Sequence, residues 1–251
     1  AAVSAAVAAV AAGGATSLSA AIQDLAGLRG RLGLLVVHAE SIPCIPIASY
    51  REQGVGAAPG GRFVRMTTQP LEHAVAVSRG VLAAVSSDQL HAATPCASWD
   101  VSSLVNHMVG AQQYFATFME GAQPEGDAPD FAAGDYLAAF DEASARCVTS
   151  FQAEGAMGRT VTVPFGTMPV PAWMGLAVTD TFQHAWDLAK ATGQSTDLAP
   201  PLAAGILAQS RQAISDGFRG PDGKAPFGPE ASAPEGACPA DQLAAFLGRT
   251  V

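Results

Sequence analysis

The stretch PAWMGLAVTDTFQHAWDLAKATGQ, residues 171–194, decides how the rest of the chain is read. Pro171 suits the N1 position of a helix, where its missing amide hydrogen costs nothing. Lys190 lies in what would be the last turn, where a cation favours the helix dipole. Gly193 supplies a C′ stop. The stretch predicts one helix from Pro171 to about Thr192. Inside it, Asp180 precedes His184 by four residues. At about 3.6 residues per turn both side chains point the same way. Two ligand-type residues one turn apart can clamp a single cation.

Working outward, the pattern stays helical. Leu71, Val75, Ser78, Leu82 and Val85 recur at spacings of three and four and predict a helix over 69–86. Thr94-Pro95-Cys96 makes a turn, and Asp100 is a good N-cap for a helix over 101–120 that stops near Gly121. Trp99 and Leu104 sit at N′ and N4, as in a hydrophobic staple. His107 lies within this helix, on one face with Leu104 and Ala111. A polar loop, GAQPEGDAPD, leads to a third helix over 132–153, ended by Gly155. RTVTVPFGTMPV, residues 159–170, alternates apolar and polar residues and reads as a short extended crossover or hairpin. A further helix follows over 200–217, then a Gly/Pro-rich loop over 219–239, then a short closing helix in DQLAAFLGR. No internal repeat is evident.

The chain has 251 residues, 49% of them hydrophobic and 14% charged, which suits a packed domain and argues against disorder over most of its length. A net charge of −9 with no basic patch argues against nucleic acid and against an anionic membrane surface. Cys44, Cys96, Cys147 and Cys238 are scattered without a C-x-x-C pair, which fits a reducing cytoplasm better than a disulfide framework. No run of strongly apolar residues is long enough to span a bilayer. The opening AAVSAAVAAVAAGG resembles the apolar part of a signal peptide but lacks basic residues before it, the first being Arg29.

Residues 1–66 read differently from the rest: five arginines against three acids, net +2, whereas residues 67–251 carry net −11. A Gly/Pro stretch, GVGAAPGGRF, precedes Met66, and periodicity begins only after it. The expectation is a poorly structured extension over 1–66, upstream of a natural start at Met66. N-terminal sequencing of the native protein tests it.

A third ligand from a neighbouring helix would complete a site with Asp180 and His184, and bundles build metal sites in this way. His107 is the candidate. Two imidazoles and a carboxylate suit Zn²⁺, and also Ni²⁺ or Fe²⁺. Three protein ligands leave open positions for water or substrate. Spacing alone leaves two other readings open: an Asp180–His184 hydrogen bond on the helix surface, and His107 as a satisfied core histidine. Asp187, three residues after His184, is a candidate acceptor orienting an imidazole. Cys96 could offer a thiol near the site, but it reads better as a buried structural cysteine in a turn, because nothing nearby is basic enough to favour a thiolate. Trp173, Trp186, Met108, Met119 and Met174 read as core. His38, His73 and His91 have no spaced partner.

TPCASWDVSSLVNHMVG, residues 94–110, and DTFQHAWDLAKATGQ, residues 180–194, together resemble the two motifs of the mycothiol-dependent maleylpyruvate isomerase N-terminal domain, a branch of the DinB-like superfamily. In that family a TPC-x-x-W-D-V run leads into a helix bearing the first metal histidine, and an acid-x-x-x-His pair supplies the other ligands. RTVTVPFG and DQLAAFLGR are similar to segments of one metal-binding subgroup. The resemblance covers about residues 68–251. It implies an all-α, DinB-like four-helix bundle with a long crossover connection and a short extra C-terminal helix. It also implies His107, Asp180 and His184 as metal ligands. The isomerase has Glu where this chain has Asp180, one methylene shorter, which puts the isomerase reaction itself in doubt. A separate C-terminal domain like the isomerase's is not evident.

The resemblance further implies that a divalent metal activates a small thiol, mycothiol, for addition to a small electrophile, giving S-transfer or cis–trans isomerisation. Arg159 and Arg211 are candidates to bind the thiol's acidic groups. The alternatives are a non-catalytic metal- or ligand-binding stress-response bundle, and a metal-dependent hydrolase. DinB-like bundles are often dimers, so a homodimer is also an expectation.

Overall fold

A computed structural model of the chain describes residues 67–221, 225 and 227–251. The expectations for residues 1–66, His38 and Cys44 among them, lie outside the described residues. Among the described residues, six helices and one two-stranded hairpin follow in order: α1 (Gln69–Ala83), α2 (Val101–Met119), α3 (Tyr136–Gln152), β1 (Thr160–Val163), β2 (Gly166–Pro169), α4 (Val170–Ala191), α5 (Pro200–Ala213) and α6 (Pro239–Phe246). This is the all-α bundle that the sequence predicts. α2 packs against α3 and α4, α1 against α4 and α3, and α5 against α6.

Local chemistry sets most of the boundaries. The Asp100 carboxylate accepts the Ser103 amide at 2.8 Å and so caps α2, as its sequence position predicts. α2 ends where Gly121 adopts φ +76 and the Ala122 amide returns to the Thr117 carbonyl at 3.0 Å. α4 ends the same way, with Gly193 at φ +71 and the Gln194 amide on the Ala189 carbonyl at 2.9 Å. Pro171 falls at the second helical position of α4, one later than expected.

Several boundaries differ from the sequence reading: α1 ends at Ala83, three residues short of the expected end, and α6 spans Pro239–Phe246, starting and ending before the DQLAAFLGR stretch does. α3 starts at Tyr136, because Gly134 interrupts the chain and Asp135 caps the helix by accepting the Ala138 amide at 3.0 Å. The preceding Phe131–Ala133 makes a separate 3₁₀ turn, tied to α2 by the Asn106 side chain. α5 stops at Ala213, where Ile214 turns extended before another 3₁₀ turn at Asp216–Phe218. The crossover is a hairpin: β1 and β2 pair antiparallel with Val161 opposite Met168.

Two apolar clusters fill the bundle. One gathers Phe115, Phe118, Trp173, Phe182, Trp186 and Leu243; the other gathers Leu82, Leu104, Val105, Phe140 and Leu188. Trp173 and Trp186 are buried, as are Met108, Met119 and Met174. Buried polar contacts lock α1 and α2 onto α4 near the site: Ser78 Oγ donates to the Thr181 carbonyl at 2.9 Å, and Gln112 Nε2 to Thr181 Oγ1 at 2.8 Å. Such contacts fix the axial register of helices that apolar packing alone would let slide. Cys96, Cys147 and Cys238 are free thiols. Among the described residues, no helix is long and apolar enough to cross a membrane.

Candidate metal centre

α2 and α4 bring together the three side chains singled out in the sequence. His107 Nε2 lies 3.4 Å from Asp180 Oδ1, and His184 Nε2 lies 3.6 Å from the same oxygen. The two imidazoles meet edge to face with centroids 4.5 Å apart. All three donor atoms fall within 4.8 Å of one another. Donors about 2.1 Å from a tetrahedral ion stand about 3.4 Å apart, so the spacing of this set fits one divalent cation. The histidine side chains are 9% and 11% exposed, and that of Asp180 is 24% exposed, so the carboxylate side is the open one.

Asp187 is fully buried and accepts from His184 Nδ1 at 3.0 Å. Once the imidazole is neutral, that contact keeps its remaining proton on Nδ1 and leaves Nε2 as the lone-pair donor facing Asp180 and His107. Asp187 itself is held by Arg249, whose Nε and Nη2 reach its two oxygens at 2.9 and 3.0 Å.

The electrostatics favour a cation. Burial lowers the His107 imidazole below its ordinary value, against the pull of Asp180. Burial would raise Asp180, but the adjacent His107 and His184 hold its carboxyl below the usual range. His184 goes the other way. Burial opposes its charge, yet the Asp180 carboxylate and the Asp187 hydrogen bond outweigh it and raise the imidazole to about 10. Asp187 is likewise held below the carboxylate range against burial, chiefly by the Arg249 charge. In the absence of a metal, a proton on His184 occupies the electrostatic role of the ion.

Three features escape the local sequence pattern. Trp99 packs on the cluster that holds Leu104, as a staple should, but its indole also covers the site, 4.6 Å from the His107 ring and 5.6 Å from that of His184. Cys96 is half-buried beside the site: its Sγ lies 3.3 Å from Asp187 Oδ2 and 3.5 Å from Arg249 Nη2. The premise that nothing basic lies near Cys96 is therefore overturned, because Arg249 comes from 153 residues away. Arg249 is the third. The arginines proposed for the thiol are engaged elsewhere: Arg159 donates to the Met119 carbonyl at 3.1 Å, and Arg211 lies over the Phe246 ring. His73 and His91 are exposed, His91 at 4.0 Å from Asp100.

Residues 71–189, which include the first motif and most of the second, match the family described as the mycothiol maleylpyruvate isomerase N-terminal domain. Two curated relatives are uncharacterized proteins of Mycobacterium tuberculosis, from strains CDC 1551 / Oshkosh and ATCC 25618 / H37Rv. Each is 44% identical over 171 residues, covering 68% of this chain and 91% of the relative. No solved structure matches the chain. With the helical bundle, the two motifs and the three converging donors in agreement, the chain belongs to the mycothiol maleylpyruvate isomerase N-terminal domain family, a family of metal-binding domains.

Proposed function

We propose that His107, Asp180 and His184 hold one divalent ion, Zn²⁺ first and Ni²⁺ or Fe²⁺ as alternatives. The site then serves S-transfer or isomerisation between a small thiol, mycothiol, and a small electrophile in the cytoplasm. The observation that carries the reading is the convergence of three donors from two helices at 3.4–3.6 Å, with the Asp180 side open. A bound divalent ion supplies Lewis acidity, which lowers the pKa of a thiol beside it and keeps a nucleophilic sulfur available at neutral pH.

The chain's own residues prepare the place. Asp187 fixes the tautomer of His184. The Trp99 indole closes one side over both imidazoles and limits water there. The hydrolase reading needs a general base, and the acid beside the donor set that is not itself a donor is Asp187. That carboxylate is fully buried, and both its oxygens are taken by Arg249, so it has no approach to a substrate water. The non-catalytic reading keeps the metal and drops the chemistry.

One assay separates the three. Metal-loaded protein is mixed with mycothiol and monochlorobimane or chlorodinitrobenzene. Turnover that needs both thiol and metal, and that His184→Ala abolishes, supports the proposal. Thiol-independent ester or amide cleavage overturns it in favour of hydrolysis, and bound metal without either reaction overturns it in favour of a binding protein.

A further inference from the structure

The end of the chain enters the network behind the metal centre. α6 closes in a Schellman turn: the Gly248 amide returns to the Ala245 carbonyl at 3.0 Å and the Arg249 amide to the Ala244 carbonyl at 2.9 Å. Gly248 holds φ +94, and a Cβ there would come within 2.8 Å of three backbone atoms of Gly228. The turn thus requires glycine and sets the direction in which Arg249 leaves. α6 is itself fixed to α4 by Trp186 Nε1, which donates to Asp241 Oδ1 at 2.8 Å, two residues beyond His184 in the chain.

From that anchor the Arg249 guanidinium, 17% exposed, forks onto the fully buried Asp187. An Asp–Arg pair of this kind would be stabilisation alone if Asp187 had no other partner. Its Oδ2, however, also takes His184 Nδ1 at 3.0 Å, while Cys96 Sγ and Gln183 Nε2 compete for the same carboxylate at 3.3 Å. Two parallel N–H···O bonds fix both the position and the plane of a carboxylate, which a single ammonium contact does not. With the plane fixed, a lone pair of Oδ2 stays on Nδ1 and His184 Nε2 stays turned toward Asp180 and His107.

We infer that Arg249 is a positioning residue for His184, acting through Asp187. The C-terminal segment 238–249, outside the span 71–189 that matches the family, is then a working part of the site. The inference rests on the reading of His107, Asp180 and His184 as metal ligands.

The test uses the full chain stripped of metal. Zn²⁺ affinity is measured by competition with a chelating dye, and Co²⁺ binding by its visible absorption. Circular dichroism follows the fold. The variants are R249K, which keeps the charge and the buried stem but not the fork, R249M, and H184A. Expected are wild-type helicity in R249K, a loss of Zn²⁺ affinity of about 10- to 100-fold, and a shift in the Co²⁺ bands. In the Zn²⁺-loaded protein, ¹⁵N spectra should show the one remaining His184 proton on Nδ1 in the wild type and a shifted, exchange-broadened Nδ1 signal in R249K. R249K that binds Zn²⁺ like the wild type, with unshifted Co²⁺ bands, while H184A fails to bind, overturns the role of Arg249 and leaves the metal centre standing. A wild-type chain that takes up neither ion overturns both. R249M, if it folds, should lose at least as much as R249K; equal affinity in R249M and the wild type counts against the inference in the same way.

Discussion

Asp180 stands between two imidazoles that the folded chain treats differently. His107 is pushed toward its neutral form by burial, and His184 is raised to about 10 by the two carboxylates beside it. On the proposed ligand set, an incoming metal displaces a proton from His184. The sign follows: below the raised pKa one proton leaves for each ion bound, so affinity rises with pH, by about tenfold per unit between about pH 7 and 9. Titrations of Zn²⁺ at three pH values read that slope, and a flat profile contradicts the charge arrangement. Asp187→Asn keeps the shape but offers His184 a weaker, neutral acceptor, and affinity should fall by about 10- to 100-fold. The sequence revealed much at this scale, because a four-residue spacing in one helix dictates a shared face. It did not reveal Trp99 over the imidazoles or Arg249 behind them. Arg249 meets Asp187 across 62 residues, and no local period reports a contact of that range.

Helix ends carry the site's accuracy. The Asp100 side chain accepts both the amide and the hydroxyl of Ser103, at 2.8 and 2.7 Å, at the start of the helix that bears His107. Asp100→Ala should cost about 1 kcal/mol of stability, read as a drop of a few degrees in Tm. Gly248→Ala should cost more, about 2 kcal/mol or above, because a left-handed φ and a backbone collision add. It should weaken metal binding as well, since Arg249 follows directly. A Gly248→Ala protein with wild-type Tm contradicts the turn described here. The caps of α2 and α4 could be read from the sequence because their chemistry is local. The 3₁₀ turn that precedes α3 could not: it depends on Asn106 of α2, which holds Asp130 and the Ala132 amide in place.

At the scale of the molecule, α1, α2 and α4 are locked together by buried polar contacts at Thr181, the residue next to Asp180, so the donors are held in register before any ion arrives. A ligand that binds this folded arrangement and not the unfolded chain stabilises it. Free Zn²⁺ at about 100 times its Kd should add about 2.7 kcal/mol, raising Tm by several degrees in the wild type and not in His184→Ala. The bundle as a whole followed from helical periodicity. The attachment of α6 to α4 through Trp186 and Asp241 did not, because it joins segments 55 residues apart. The most direct measurement is elemental analysis of the purified protein beside His107→Ala. One divalent ion per wild-type chain, absent from the variant, is the predicted result. A wild type without metal after growth in metal-replete medium, or a variant that keeps a full equivalent, contradicts a centre built from α2 and α4.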